Sequence, residues 1–139
     1  MKYYNRLEAA RVLGAAPHRI DYITRNINIE SAIQSGRKGA VRLFDENQIK
    51  LFLFIDALKK ENYSFKEIQR IIELVDEGHT KLWTIQSFNE KGEESEHFVC
   101  TEEYLKNEIG NLKSSDREFL LKRIILPQIK YVSQSKITA

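Results

Sequence analysis

The sequence predicts a mainly α-helical chain. Two short helices and a strand-like arm come first, two longer helices follow, and a β-hairpin and further helices end the chain. Three observations predict this arrangement. Apolar residues recur at three- and four-residue intervals in most segments, as they do on helices with one buried face. Helix-capping patterns precede two of those segments. Two β-prone stretches, 81–88 and 95–100, flank a polar segment that contains glycine, which is typical of a hairpin.

The first two helices are predicted from apolar spacing and from the glycine between them. One face of the first helix carries apolar residues three positions apart: Leu7, Ala10 and Leu13. Gly14 favours the end of that helix, and Pro17 suits the first turn of the next one, where a missing N–H costs nothing. Ile20 and Ile23 would then face the core. Two short helices joined by such a turn are typical of a helix-turn-helix.

A polar and basic segment, 26–38, separates these helices from the next element. We interpret it as a loop or a short hairpin arm that leads into a strand over 40–44. Asp45 is expected to cap a third helix that runs to about Lys60, because its carboxylate can accept the N–H groups that open a helix.

A fourth helix is predicted from a capping box. Ser64 and Glu67 have the required spacing, and the apolar periodicity continues from there to Gly78. The predicted hairpin comes next. It carries Trp83, Phe88 and Phe98, which could line a ligand pocket but are more simply explained by packing within the hairpin.

Two more helices are predicted after the hairpin. The first begins at Thr101, and the second begins at Ser115 or Asp116. Together they carry more apolar residues than two short helices could bury by packing on one hairpin. We therefore expect part of their apolar surface to pack on a second copy of the chain. These residues are Leu105, Ile109, Leu112, Phe119, Leu120, Ile124, Ile125 and Val132.

The charge of the chain is unevenly distributed. Residues 1–45 contain eight basic and four acidic residues, a net charge of +4, whereas the remainder contains 14 basic and 16 acidic residues, a net charge of −2. A basic first third is expected where one end of a protein meets a polyanion. The chain has a single cysteine, which fits a reducing compartment. It has no apolar run of about 20 residues and no signal-peptide pattern at the N-terminus. We therefore expect a cytoplasmic location without a membrane partner.

Polar and basic residues of the second helix and of the arm are candidates for binding duplex DNA. A helix that presents such side chains can enter a major groove, while cations on a flanking strand can contact phosphates. Each has a plainer interpretation: Arg42 could pair with Asp45 or Glu46, Tyr22 could pack at the helix edge, and His18 could be an ordinary surface residue. The candidates are His18, Arg19, Tyr22 and Arg25 on the helix, and Arg37, Lys38 and Arg42 on the arm and strand.

Three motifs in order resemble the MerR family of bacterial transcription regulators. They are Ile20-Asp21-Tyr22, Ala40-Val41-Arg42-Leu43-Phe44-Asp45 and Asn62-Tyr63-Ser64-Phe65-Lys66-Glu67-Ile68, and the similarity covers residues 3–78. The resemblance implies a winged helix-turn-helix DNA-binding domain at 1–78, a homodimer on a near-palindromic site, and RNA polymerase as a further candidate partner. Residues 79–139 would then form the dimerisation region and could sense an effector, whose identity is unknown.

The sequence departs from the family at two positions. The family usually has an arginine where Asp21 stands and an aromatic residue where Val41 stands. A carboxylate at position 21 is expected to repel phosphate, which leaves open a protein-interaction adaptor that has lost DNA binding. An excisionase-like or architectural DNA-binding factor is the other alternative, because such factors use a similar small winged head.

Patterns for catalysis or a cofactor are not found in the sequence. His97 and Cys100 could suggest a metal site or a nucleophile, but alternation along a strand points residues 97 and 100 to opposite faces. A metal site also needs three or four ligands. We therefore expect a protein that is not an enzyme and that holds no metal or cofactor.

Overall fold

Five helices and five strands make up the described parts of the chain, which in the computed structural model are residues 2–27, 42–115 and 118–127. The chain divides into two compact units: the first consists of Met1–Ile68 and Pro127–Ala139, and the second of Gln69–Leu126. In chain order the elements are β1 (Tyr3–Tyr4), α1 (Arg6–Leu13), α2 (His18–Asn26), β2 (Phe44–Asp45), α3 (Glu46–Lys60), α4 (Phe65–Asp76), β3 (Leu82–Phe88), β4 (Glu94–Thr101), α5 (Glu102–Ser115) and β5 (Glu118–Ile124).

The two helices predicted at the start of the chain are present as α1 and α2. Asn5 caps α1: its side chain accepts a hydrogen bond from the Glu8 N–H at 2.8 Å, and the Glu8 carboxylate accepts one from the Asn5 N–H at 3.1 Å. Gly14 ends α1 in the left-handed conformation with φ of 68°, which an L-residue adopts only with strain. α2 begins at His18, directly after Pro17.

The short ladder between β1 and β2 fixes where α3 begins. Tyr3 pairs with Asp45 and Tyr4 pairs with Phe44. Asp45 caps α3, as predicted: its carboxylate accepts from the Gln48 N–H at 2.8 Å, and the Gln48 side chain accepts from the Asp45 N–H at 3.0 Å. Of the strand predicted at 40–44, residues 40 and 41 lie outside the described residues, and β2 itself covers only Phe44–Asp45.

The core of the first unit lies between α3 and the helix-turn-helix. α1 and α2 both pack on α3. Phe44 and Phe52 are fully buried and meet edge to face, with ring centroids 5.0 Å apart. Ile20 and Ile23 of α2 are also buried, as the spacing predicted. Burial of these apolar side chains is the main force that holds the short helices in place, since helices of eight and nine residues are not stable alone.

The capping box predicted at the start of α4 is confirmed. The Glu67 N–H donates to the Ser64 hydroxyl at 3.2 Å, and the Ser64 N–H donates to the Glu67 carboxylate at 3.0 Å. Asn62 provides the turn before it with a positive φ of 69°. The helix ends at Asp76, two residues before the predicted end at Gly78.

The second unit contains the predicted hairpin. β3 and β4 pair antiparallel, with Leu82 opposite Thr101 and Gln86 opposite His97. α5 follows at once, because the Thr101 hydroxyl accepts a hydrogen bond from the Tyr104 N–H at 3.1 Å and so caps the helix. No helix in the described part of the chain has both the length and the apolar character needed to cross a membrane.

The prediction of a second helix after the hairpin is wrong, because the chain forms strand β5 there. β5 pairs antiparallel with β3 along its whole length, from Glu118 opposite Phe88 to Ile124 opposite Leu82, and gives a sheet with the order β4-β3-β5. The apolar run of this segment fits helical and strand spacing about equally over so few residues. Pairing satisfies the backbone groups along the second edge of β3 and brings Phe119 and Leu121 against a core that includes Ile85. The described C-terminal region is therefore one helix on a three-stranded sheet.

Candidate nucleic-acid interface

α2 presents one polar face to solvent. His18, Tyr22 and Arg25 follow each other at intervals of four and three residues, so they lie on the same side of the helix, and all three are exposed. Ile20 and Ile23 occupy the opposite side and are buried. The Arg25 Nε donates to the backbone carbonyl of Asp21 at 3.4 Å, a long contact that leaves the side chain along the exposed face. The two residues at the edges of this face, Arg19 and Asp21, both form ion pairs.

Arg19 connects α2 to α3. Its Nε and Nη2 atoms each lie 3.1 Å from Oδ1 of Asp56, a carboxylate that is only 7% exposed. Lys60, one turn further along α3, approaches the other oxygen of Asp56 at 3.2 Å. The carboxylate is therefore compensated by two cations, as a buried charge requires. In this structure the guanidinium group of Arg19 is directed to α3.

Tyr22 has an exposed ring that is held by its neighbours. The Phe65 ring meets it edge to face, with centroids 5.0 Å apart, and the Arg19 guanidinium carbon lies 5.7 Å from the Tyr22 ring centre. Lys59 in turn places its ammonium group 4.5 Å from the centre of the Phe65 ring. Tyr22 nevertheless remains 39% exposed, so packing at the helix edge and contact with a ligand are compatible.

Asp21, at the other edge of α2, forms a bidentate ion pair with Arg6 of α1. The Arg6 Nε lies 2.8 and 2.9 Å from the two carboxylate oxygens, and its Nη2 lies 2.8 Å from Oδ2. The hydrogen bond from Arg6 lowers the pKa of Asp21, and the charges of Arg25 and Arg42 act in the same direction. Asp21 is thus ionised at neutral pH, and its charge is balanced by a partner that is 15 residues away in the sequence.

Arg42 lies in the same groove as this ion pair. The groove has a volume of about 350 Å³. The Arg42 guanidinium carbon lies 5.3 Å from the centre of the buried Phe44 ring, so an apolar surface supports the charged group. The residues that line the groove are Asn5, Arg6, Leu7, Ile20, Asp21, Arg42 and Phe44.

The order and geometry of these elements agree with a comparison to known families. The family model described as MerR HTH family regulatory protein matches residues 4–75, more than half of the chain. The chain belongs to this family. No curated protein matches the chain. The match confirms the resemblance noted in the sequence, and it makes this a member of a family of DNA-binding transcription regulators that are in general not enzymes.

The segment matched by the MerR family contains the whole exposed face of α2 and the groove beside it. Of the candidate DNA-binding residues, the structure brings together His18, Arg19, Tyr22 and Arg25 on one helix, and Arg42 beside it. Arg37 and Lys38 lie outside the described residues. Whether any of these residues contacts DNA stays a prediction.

Three residues that the sequence did not single out contact the side chains of α2: Arg6, Asp56 and Phe65. Arg6 pairs with Asp21 of α2, and Asp56 pairs with Arg19 of α2. The partners are 15 and 37 residues apart in the sequence, so no local sequence pattern indicates these pairs. The sequence did indicate Phe65, because this residue lies inside the motif shared with the family at the start of α4. Its position beneath Tyr22 could have been proposed from that motif.

The second unit of this MerR-family chain offers no comparable site among its described residues. Cys100 is buried, and burial raises the pKa of its thiol to about 11, so the thiol rather than the nucleophilic thiolate is present at neutral pH. No group of three or more metal-binding side chains occurs in the described part of the chain. Trp83 and Phe98 pack around Ile85, Cys100 and Leu105, so packing inside the unit accounts for those two aromatic residues.

Proposed function

We propose that the chain is a sequence-specific transcription regulator that binds duplex DNA as a homodimer through a winged helix-turn-helix head. One observation carries the proposal: α2 exposes His18, Tyr22 and Arg25 on one face, within a segment that matches a family of DNA-binding regulators. A major groove about 12 Å wide accepts an α-helix and offers donors and acceptors that differ between base pairs.

The proposed roles follow from what each side chain can reach. His18, Tyr22 and Arg25 would approach base edges and the phosphates beside them. Arg19 would contribute at the edge of the same face. On the wing, Arg42 together with Arg37 and Lys38 would hold neighbouring phosphates, which sets the register of the protein on the duplex without selecting a sequence.

The ion pair of Asp21 removes one argument for an adaptor that has lost DNA binding. An unpaired carboxylate on this face would repel phosphate, but Arg6 balances its charge through three contacts of 2.8 to 2.9 Å. The negative potential near α2 is therefore smaller than the sequence suggests. DNA binding is compatible with aspartate at this position.

The second half of the chain is assigned by the same proposal to assembly. We propose residues 1–78 as the DNA-binding head and residues 79–139 as the region that dimerises and could respond to an effector. A dimer would place two heads on the half-sites of a near-palindromic operator in a bacterial cytoplasm. RNA polymerase would be the further partner if the protein acts at a promoter.

Replacing Arg42 with alanine is expected to weaken binding to operator and random duplexes by similar factors, because a phosphate contact carries no sequence information. The plot of log affinity against log salt should become shallower by roughly 0.9, the contribution of one neutralised phosphate. Fluorescence anisotropy at several salt concentrations measures both quantities. Lys106→Ala, which removes an exposed lysine from α5, is the charge-matched control and should leave the slope unchanged.

Binding that is absent for every duplex at low salt, or that does not change with salt, would argue against a DNA-binding head. The protein-interaction adaptor would then be the better explanation of the fold. A variant that lowers operator affinity but spares random duplexes would instead give Arg42 a role in base recognition.

A further inference from the structure

The groove beside α2 contains two guanidinium groups and one carboxylate. Arg6 and Arg42 line it together with Asp21, and Asn5, Leu7, Ile20 and Phe44 complete its walls. The charged groups give it a formal charge of +1, because the Asp21 carboxylate cancels one of the two cations. If Asp21 were neutral, the same groove would carry +2.

The ion pair between Arg6 and Asp21 is too exposed to be important for stability. The two side chains are 47% and 39% exposed, and exposed ion pairs of this kind contribute little or nothing measurable to the stability of a domain. The main physical consequence of the pair is electrostatic: it determines how much positive charge the groove presents to an approaching anion. Three contacts of 2.8 to 2.9 Å join the Arg6 guanidinium group to the carboxylate.

The groove lies beside the face of α2 that is proposed to enter DNA. The groove is bordered by α2, whose exposed face carries the proposed base-reading residues, and it contains Arg42, the proposed phosphate ligand of the wing. A helix in the major groove is flanked by sugar-phosphate backbone, and helix-turn-helix proteins place their first helix across that backbone. Arg6 occupies the first position of α1.

We propose that this groove is a binding site for a backbone phosphate, that Arg6 is its second cationic ligand, and that Asp21 limits the strength of the site by holding Arg6 in an ion pair. The inference rests on the proposed function, since it deepens the account of how the head binds duplex DNA. Arg6 shares its guanidinium group between the carboxylate and the phosphate when DNA is bound. Asp21 thereby keeps the sequence-independent part of the affinity low.

The test is a cycle of variants in the full-length protein: Asp21→Asn, Arg6→Ala and the two changes combined. Asp21→Asn keeps the shape of the side chain and frees Arg6, so affinity for random and operator duplexes should rise about three- to tenfold, with a salt slope steeper by roughly 0.9. In the Asp21→Asn background, Arg6→Ala should remove this gain and return the slope to the wild-type value. Arg11→Ala in the same background is the matched control, because it removes another exposed arginine of α1 and should leave the gain in place.

The outcomes separate the two claims. If the wild-type chain binds no duplex, the proposed function fails and the phosphate site fails with it. If the wild-type chain binds with a clear salt dependence but Asp21→Asn changes neither affinity nor slope, only the present inference is overturned. A gain that survives Arg6→Ala also overturns it, because Asp21 would then act by simple repulsion and Arg6 would not be a ligand. Thermal unfolding of each variant should remain close to wild type, as expected for an exposed pair.

Discussion

Charging two exposed apolar residues, Leu120 in β5 and Ile125 directly after it, should dissociate the proposed dimer and weaken operator binding by about a hundredfold or more. In the described part of the chain β5 pairs only with β3, so its other edge is open. Leu120 in this edge strand and Ile125 directly after it are 53% and 84% exposed, and an edge strand with exposed apolar residues favours pairing with another strand. By contrast, Leu105 and Ile124, two of the eight apolar residues of which part is expected to pack on a second copy, are buried within the second unit.

The variant for this test carries Leu120→Glu and Ile125→Glu. Both side chains are exposed, so the protomer should fold normally while the interface gains repulsion between like charges. Sedimentation measures the oligomeric state, and anisotropy with a full operator and with a single half-site measures the lost avidity. Affinity for a half-site should change little.

A control variant with Lys122→Ala and Arg123→Ala makes the same change of two units in net charge on the same strand. It removes no apolar surface and should remain dimeric. If the glutamate variant still sediments as a dimer, the interface lies on another part of the chain, and the assignment of residues 79–139 to assembly loses its support.

Arg19→Ala should reduce both the stability of the head and its preference for operator over random DNA. Loss of the two contacts to Asp56 leaves a carboxylate that is 7% exposed with Lys60 as its remaining cationic partner among the described residues. This should lower the free energy of unfolding by about 1–3 kcal/mol. Tyr22 loses the group that covers one side of its ring. We expect the ratio of operator to random affinity to fall by roughly tenfold, since one good base contact contributes about that much discrimination.

The variant Asp56→Ala shows whether Arg19 acts by positioning α2 or by contacting DNA bases directly. If Arg19 acts by fixing α2 against α3, Asp56→Ala should reduce the operator preference as Arg19→Ala does, and the double variant should lose little more. If Arg19 reads bases itself, Asp56→Ala should leave the preference intact while Arg19→Ala removes it. Lys60→Ala is the control, because it removes the exposed partner of the same carboxylate without changing any contact of α2.

Local patterns were sufficient to predict most of the first unit. The capping residues Asp45 and Ser64, the glycine at position 14 and the apolar spacing of α2 each depend on neighbours within a few positions, so the sequence displays them directly. The hairpin of β3 and β4 could also be predicted from local sequence, since only a short turn separates its strands.

Features that depend on distant residues could not be predicted in this way. The sequence predicts a helix where β5 forms, because a short apolar run has no clear period, and pairing with the second edge of β3 determines the strand conformation. Asp21 was expected to act as a free negative charge. Its partner Arg6 lies on another helix, and only the packing of α1 beside α2 brings the two charges together.

The central claim, that this chain recognises specific duplex DNA, is tested most directly by selection from a random pool. The purified full-length protein is incubated with random duplexes at physiological salt, and the bound fraction is amplified and sequenced over several rounds. We predict enrichment of one motif with two inverted half-sites, bound at least about a thousandfold more tightly than random DNA. A pool that binds but stays unenriched would favour an architectural factor, and a pool that does not bind even at low salt would contradict the claim.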